Sequence, residues 1–397
     1  MSFRMFGEEE LAALREVVES QEIWRGTSGK YVARLEDAFA EHVGRKCVLA
    51  VNSGTSANEA ALAAVGVGPG DEVICPPCSF IASSMAAVGL GAVPVFADVD
   101  PRNLIITAEA IEAAITPRAK AVVIVHLWGI PADMGPIMEV ARKHNLKVVE
   151  DCAQAYDAYY RGQMVGTFGD ATCYSLQQSK HVTSGEGGLV TTNDPDGYAR
   201  AVLYSNCGMP WFRGKAEAPR AQEMAGIPTR GHFAYGHNYR MSELQGAVAF
   251  VQLGKIGQFN DRRAEIVQVI EEELADVPGI RLAHTSPDSR PNYWAYPMWI
   301  DPEQTGLTTG DVGLNRYNEI NYLEEVFQRM QRERRTSVGY PLPEYVRYEP
   351  GVCPQAEAGA RRLVVVWPHP LATDPERMRE IAKGIGDRVR EAMKQGT

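Results

Sequence analysis

A lysine stands at the end of a strand-like run, among residues that could hold it close to a ligand. Lys180 follows Ser175-Leu-Gln-Gln-Ser and precedes the glycine-rich run Thr183-Ser-Gly-Glu-Gly-Gly188. If desolvation lowers the pKa of its amine, this lysine can act as a Schiff-base nucleophile. A single lysine is more often a solvated surface charge, and the glycines could simply form a turn.

Two carboxylates follow another buried run. Glu150 and Asp151 come directly after the strand-like run 146–149, and Gln154 stands three positions beyond Asp151. Carboxylates at the carboxyl end of a parallel strand lie where α/β proteins bind their ligands. A helix cap or an ordinary surface acid is the simpler interpretation of the pair taken alone.

A third motif, Asn52-Ser-Gly-Thr-Ser56, lies between a predicted strand and a predicted helix. Gly54 permits a tight turn, and the start of a helix offers unpaired amides with the positive end of the helix dipole. Thr55 and Ser56 add hydroxyl donors, so the motif could bind a phosphate monoester. It could equally be an ordinary helix cap.

These motifs lie in a stretch where strand-like and helix-like patterns alternate. From about residue 46 to residue 192, short β-rich runs are separated by single helices, which predicts a mostly parallel sheet covered by helices. The run 205–236 is rich in Gly, Pro, Arg and aromatic residues and predicts a long functional loop. One long helix is expected from Ser242 to about Leu274. We predict a large domain over residues 1–260 and a small C-terminal α/β domain over residues 261–397.

Composition excludes several classes of protein. The 397 residues include 40 Lys+Arg and 50 Asp+Glu, for a formal charge of −10, which disfavours a nucleic-acid or anionic-membrane binder. The longest unbroken apolar run, Ala60 to Val65, is too short to cross a bilayer. We therefore expect a cytoplasmic protein without nucleic-acid or membrane partners. An anionic substrate would need local donors, for which Arg213, Arg230 and Arg240 are candidates.

The seven cysteines do not form the pattern of a disulfide scaffold. Cys75-Pro-Pro-Cys78 has the spacing of a redox or zinc motif, but no second such pair exists. Buried thiols at a strand end are the favoured interpretation. The eight histidines show no ligand spacing, so no metal site is predicted.

Taken in order along the chain, the motifs resemble one family. The run at 52–56, then Ser79-Phe80, then Glu150 to Gln154, then Ser175 to Gly188, then Asn238-Tyr-Arg-Met is similar to the sugar aminotransferases of the DegT/DnrJ/StrS type. These are fold-type I enzymes that use pyridoxal 5'-phosphate, with pyridoxamine phosphate as its aminated form. The resemblance implies the α/β fold of that class, with a large cofactor-binding domain and a small C-terminal domain.

The resemblance also implies roles for individual residues. Lys180 would hold the cofactor covalently and move protons, while Asp151 would pair with the pyridine nitrogen. Phe80 would stack on the cofactor ring, and Gln154 would contact the side of its phenolic oxygen. The implied phosphate site includes Gly54, Thr55, Ser56 and Ser175. Asn238 would reach the cofactor of a neighbouring subunit, which implies a homodimer with shared active sites and gives the loop 205–236 a place beside them.

The implied activity is transfer of an amino group from glutamate or glutamine to a ketone. The ketone would belong to a nucleotide-linked keto-sugar or to an inosose-like keto-cyclitol, as in amino-sugar and antibiotic biosynthesis. A lysine at position 180, where dehydrating relatives carry histidine, favours transamination, and Gln177-Gln178 is similar to enzymes acting on keto-cyclitols. A sugar dehydratase, an aminohydroxybenzoate-synthase-like lyase and a non-catalytic regulator are the alternatives.

Overall fold

The computed structural model describes residues 5–25, 30–210, 231–309, 311, 320–369 and 374–395. The strands in these ranges are β1 Cys47–Val51, β2 Glu72–Cys75, β3 Val93–Phe96, β4 Ala119–Val125, β5 Lys147–Asp151, β6 Tyr159–Tyr160, β7 Gln163–Met164, β8 Ala171–Ser175, β9 Gly188–Thr192, β10 Ile280–Arg281, β11 Ser289–Arg290, β12 Tyr296–Ile300 and β13 Leu363–Val366.

The helices surround and follow these strands. They are α1 Glu8–Ser20, α2 Tyr31–Val43, α3 Gly54–Ala64, α4 Ala82–Gly89, α5 Ala108–Ala113, α6 Met134–His144, α7 Pro195–Ser205, α8 Glu243–Leu253, α9 Ile256–Leu274, α10 Pro302–Thr305, α11 Glu325–Glu333, α12 Pro354–Arg362 and α13 Pro375–Gln395. No helix of the described ranges is long and apolar enough to cross a bilayer.

Seven strands form the central sheet in the order β1-β9-β8-β5-β4-β2-β3. All neighbouring pairs are parallel except those of β9, which runs antiparallel to β1 and to β8. The predicted mixed, mostly parallel sheet with helices is thereby confirmed. Val125 pairs with Asp151 and Asp151 pairs with Cys173, so β4, β5 and β8 end at nearly the same level. This common edge brings together side chains from distant segments.

The central strands are apolar because both faces of the sheet are covered. Ala121 to Ile124 of β4 have no exposed surface, and burial of each such Val or Ile side chain contributes about 1.5–3 kcal/mol. A continuous run of apolar residues is the expected pattern for a strand of this kind.

The chain after α9 forms a second, antiparallel sheet of β10, β12 and β13. Its apolar residues belong to the same buried cluster as the strands of the central sheet. The predicted boundary at residue 260 falls inside α9. The division of the chain at that position stays a prediction.

The prediction of one continuous helix over 242–274 is wrong. The helix is interrupted after Leu253, and α9 begins at Ile256. At the break, the N–H of Lys255 bonds the carbonyl of Gln252 at 3.0 Å, a tighter turn than that of an α-helix. The Lys255 amine also binds the carboxylates of Glu9 and Glu10, which holds the break against α1.

Candidate active site

A cavity of about 500 Å³ opens where β5 and β8 end. Seven of the residues predicted for the site line it: Gly54, Thr55, Phe80, Asp151, Gln154, Ser175 and Lys180. These residues come from four separate stretches of chain. The stretches meet because the strands that precede them end at the same edge of the central sheet. Two predicted residues, Ser56 and Asn238, do not line this cavity.

Lys180 lies in the turn that follows β8, with its side chain almost completely buried. Its Nζ is 3.8 Å from the centre of the Trp294 ring, and it has no hydrogen bond to any residue that the structure describes. Burial lowers the pKa of this amine to about 8, while the Asp151 carboxylate raises it and the Arg263 guanidinium lowers it. The neutral, nucleophilic form of this amine is therefore far more abundant near neutral pH than in an ordinary lysine.

Asp151, the last residue of β5, is held by donors on two helices. Its Oδ2 accepts hydrogen bonds from Asn58 Nδ2 of α3 at 3.1 Å and from Ser83 Oγ of α4 at 2.8 Å. Its Oδ1 accepts the backbone N–H of Ala153 at 3.0 Å. These donors fix the orientation of a buried carboxylate that faces the cavity.

Glu150 points to the other side of the sheet, because successive side chains of a strand alternate. Its two oxygens accept three backbone N–H groups from residues 166, 168 and 169, at 2.6–2.8 Å. Burial acts to raise its pKa, but the hydrogen bond from His126 and those amides outweigh it and lower the pKa. The adjacent acids thus differ in environment, and only Asp151 faces the cavity.

His126, Glu150 and Cys152 lie close enough to suggest a metal site. His126 Nδ1 accepts the N–H of Ala132 at 3.1 Å, so its proton is on Nε2, which donates to Glu150 at 3.0 Å. Both ring nitrogens are therefore engaged, and no lone pair is left for a metal ion. The Cys75 and Cys78 thiols are free and buried, and burial raises their pKa values, which makes them unreactive.

The start of α3 offers free backbone amides at the position where the sequence predicts an anion site. Ser53 caps the helix by accepting the Ser56 N–H at 3.1 Å, which leaves the amides of Gly54 and Thr55 without an intrahelical acceptor. A Cβ on Gly54 would lie 2.7 Å from Ser175 Cβ, so glycine is what allows the helix end to approach β8. The Ser56 hydroxyl donates to Asn52 Oδ1 at 2.7 Å, inside the capping network.

Gln154 is fixed by an unusual turn. Its Oε1 accepts the backbone N–H of Trp128 at 2.8 Å. Trp128 has φ 63°, a left-handed conformation that is rare for a bulky residue. The Trp128 carbonyl accepts the N–H of Trp294 at 2.8 Å. One strained turn thus positions two residues of the cavity, which is a common device at functional sites.

The exposed residues among those predicted for the site are Thr55, Phe80 and Asn238. Phe80 is 56% exposed at the cavity mouth. Asn238 is exposed and forms an isolated bridge with Asn206. Arg240 bonds Asn206 Oδ1 at 2.9 Å, whereas Arg213 and Arg230, with most of the predicted loop, lie outside the described residues.

The sequence motifs missed four residues that line the cavity and one that lies behind it. Asn58 and Ser83 could have been noticed as polar residues within otherwise apolar helical runs. Trp294 and Trp367, whose rings meet edge to face at 4.6 Å, form one wall of the cavity and carry no motif. Arg263, behind Trp294, is completely buried and donates to its carbonyl at 3.2 Å.

Comparison with known proteins agrees with this geometry. The model of the DegT/DnrJ/EryC1/StrS aminotransferase family matches residues 5–383. The chain belongs to this family. Among curated relatives, the L-glutamine:2-deoxy-scyllo-inosose aminotransferase of Streptomyces kanamyceticus is 41% identical over 366 residues, covering 89% of this chain and 84% of that protein. The GDP-perosamine synthase of Caulobacter vibrioides is 39% identical over 289 residues, covering 72% of each chain.

Solved structures of this aminotransferase family are also similar over nearly the whole chain. The 3-amino-5-hydroxybenzoic acid synthase has a TM-score of 0.84 and 28% identity, covering 98% of both chains. S. venezuelae DesV, in complex with a ketimine intermediate, has a TM-score of 0.78 and 30% identity, covering 98% of this chain and 95% of its own. The protein is therefore an aminotransferase, as predicted.

Aminotransferases of this family use pyridoxal phosphate. The residues of the cavity fit that group, since they combine a buried amine that has no hydrogen bond within the described residues, a carboxylate, hydroxyl groups and the start of a helix. When bound, the cofactor supplies an electron sink for charge developing on a substrate carbon.

Proposed function

We propose that the enzyme transfers an amino group from glutamate or glutamine to the ketone of a sugar or cyclitol. The geometry of Lys180 carries the proposal, because its buried amine has a lowered pKa and no hydrogen bond within the described chain. Such an amine can hold the cofactor and can afterwards carry a proton to and from the substrate carbon.

The other residues of the cavity would bind and orient the cofactor. Asp151 would keep a proton on the pyridine nitrogen, and Phe80 and Gln154 would contact the ring. The start of α3, with Thr55 and Ser175, would bind the phosphate. Ser56 would support this helix end through its bond to Asn52.

The test separates the two halves of the reaction. Glutamate or glutamine alone should convert the holoenzyme absorbance to that of the aminated cofactor, and keto-sugars or inososes should restore it. Borohydride should fix the cofactor at Lys180, and Lys180→Ala should abolish both changes. A Lys180→Ala enzyme with undiminished amino transfer would refute the proposed role of the lysine.

A lyase activity is the second candidate, favoured by the likeness to 3-amino-5-hydroxybenzoic acid synthase. The two activities differ in their products, because transamination yields an amine and a keto acid in equal amounts, whereas dehydration needs no amino donor. Loss of water from the ketone in the absence of a donor would favour the lyase.

We also propose a homodimer with shared active sites. Four apolar side chains on and after α1 are more than half exposed: Leu11, Val18, Ile23 and Trp24. A second copy of the chain would cover this apolar surface. Asn238, exposed and outside the cavity, would then act on the cofactor of the partner. A cytoplasmic location is proposed as well, supported by seven free cysteines.

A further inference from the structure

The proposed phosphate site is held in place by a residue far from it in the chain. The turn between β1 and α3 carries the backbone amides of Gly54 and Thr55, which would bind the cofactor phosphate. Just before this turn, the backbone N–H of Asn52 donates to the carbonyl of Tyr239 at 2.8 Å. Asn52 Oδ1 in turn accepts the Ser56 hydroxyl at 2.7 Å. The main chain of Tyr239 therefore sets where the turn begins.

The side chain of Tyr239 contacts the same helix further along. Its hydroxyl donates to Oε2 of Glu59, in the second turn of α3, at 2.8 Å. Glu59 is half-buried and packs against the end of α4, where a Cβ added to Gly89 would lie 3.0 Å from Glu59 Cδ. On the other side, the ring of His237 stacks on the Tyr239 ring with centroids 4.8 Å apart. Tyr239 thus spans the start of α3, with its carbonyl at the turn and its hydroxyl inside the helix.

The bond from Tyr239 to Glu59 is of the strong kind. Burial and this hydrogen bond raise the pKa of Tyr239, so its hydroxyl keeps its proton and donates at neutral pH. Hydrogen bonds to a carboxylate are stronger than those between neutral groups. Loss of the hydroxyl should therefore loosen the connection measurably.

Tyr204 makes the same bond without reaching the turn. Its hydroxyl donates to the same Glu59 oxygen at 2.9 Å. Tyr204 belongs to α7, and its carbonyl accepts the N–H of His237 at 2.6 Å. Within the described ranges, no hydrogen bond joins Tyr204 to the run 52–56. Of the two tyrosines, only Tyr239 links Glu59 to the turn before the helix.

We propose that Tyr239 is a positioning residue for the cofactor phosphate. By bonding Asn52 on one side and Glu59 on the other, it fixes the first turn of α3 against the end of β1, so that the free amides of that turn converge on one point. Tyr239 does not line the cavity, so it acts through the turn. This inference rests on the proposed function, because that function places a phosphate at the start of α3.

Tyr239→Phe removes the hydroxyl and keeps the ring, and Tyr204→Phe is the matched control on the same acceptor atom. Three affinities of the cofactor-free full-length enzyme are measured: for pyridoxal phosphate, for inorganic phosphate, and for pyridoxal, which lacks the phosphate. Tyr239→Phe should weaken the binding of both phosphate compounds about tenfold, the effect of one hydrogen bond to a charged group, and keep pyridoxal binding within about twofold. Tyr204→Phe should leave all three affinities within about twofold of the wild type.

Wild-type affinity for inorganic phosphate in Tyr239→Phe would overturn the inference. Equal losses in the two variants, or an equal loss of pyridoxal binding, would also overturn it, since they indicate a general loosening of α3. The effect should persist in an Asn238→Ala background, because it acts through Asn52. Its disappearance there would assign the effect to Asn238 and overturn the inference as well.

Glu59→Gln carries the test if Tyr239→Phe does not fold. The amide keeps an oxygen acceptor but loses the charge, so phosphate binding should weaken about 2- to 5-fold, and unchanged binding would overturn the inference. If the wild type binds phosphate but aminates no ketone, the proposed function fails, and the phosphate affinities of the variants still decide the role of Tyr239.

Discussion

The reactivity of Lys180 comes from its surroundings. The amine is buried against the Trp294 ring, and behind that residue lies Arg263. The Nε and Nη2 atoms of Arg263 have no hydrogen-bond partner among the residues that the structure describes. Burial lowers the pKa of the Arg263 guanidinium to about 9, and its charge lowers the pKa of Lys180. No carboxylate of the described residues forms an ion pair with Arg263, so its buried charge is left to act on Lys180.

The pKa of Lys180 leads to a prediction about pH. Only the neutral amine attacks an aldehyde, and the neutral fraction increases as the pH rises through the pKa. The rate at which cofactor-free enzyme forms its covalent link to pyridoxal phosphate should therefore be half-maximal near pH 8. Stopped-flow absorbance across pH 6–11 measures it. Arg263→Met should move the midpoint upward and Arg263→Lys should keep it, whereas a wild-type midpoint near the ordinary lysine pKa would contradict the prediction.

A second prediction concerns the support of Asp151. Ser83→Ala removes the hydroxyl that donates to Asp151 and should lower kcat about tenfold or more, the effect of one hydrogen bond to a charged group. Ser84→Ala is the matched control, because its hydroxyl bonds Asn321 and Ile81 instead. That variant should lose about 1 kcal/mol of unfolding free energy and keep its kcat. Equal kcat values in the two variants would argue against the positioning role of Ser83.

At the scale of elements, the site depends on close contact between the start of α3 and the end of β8. Gly54 makes the contact possible, since any side chain there would overlap Ser175. The same helix carries Asn58, which donates to Asp151, so a displacement of α3 would disturb both the proposed phosphate site and the Asp151 carboxylate.

Gly54→Ala is therefore expected to weaken cofactor binding. The added Cβ meets Ser175 at 2.7 Å, and the helix end must move away from the cavity. We expect at least about tenfold weaker binding of pyridoxal phosphate, measured by absorbance titration. Gly257→Ala in α9 is the control, because nothing lies within 4 Å of its Cβ, and it should gain up to about 1 kcal/mol of stability. Wild-type cofactor affinity in Gly54→Ala would show that the helix end tolerates displacement.

For the whole molecule, the proposed dimer predicts that one substitution on the exposed apolar surface around α1 reduces both dimer formation and activity. Trp24→Glu places a charge on the exposed apolar surface after α1 and should shift the protein toward the monomer in light scattering, with a parallel loss of activity. Val338→Glu, an equally exposed apolar position elsewhere, should leave the mass unchanged. A Trp24→Glu protein of wild-type mass and activity would place the dimer contact elsewhere.

The sequence motifs contain most of the residues that line the cavity, because each motif lies at or just after the end of a strand. Lys180, Asp151 and Gly54 lie in separate short runs, and a parallel sheet brings such runs to one edge. Asn58 and Ser83 were missed because their partner, Asp151, lies 93 and 68 residues away in the chain. Contacts over such separations leave no local pattern.

The amino-acid sequence by itself determined the kind of sheet and the family and pointed to the candidate reactive groups, since periodicity and strand-end motifs are local properties. Only the tertiary structure decided that Asp151 faces the cavity while Glu150 is saturated by backbone amides. It also decided that Lys180 is desolvated against Trp294 and that Tyr239 bonds both Asn52 and Glu59. The physical reason is that burial and electrostatic environment arise from packing between segments distant in the chain, which no single segment encodes.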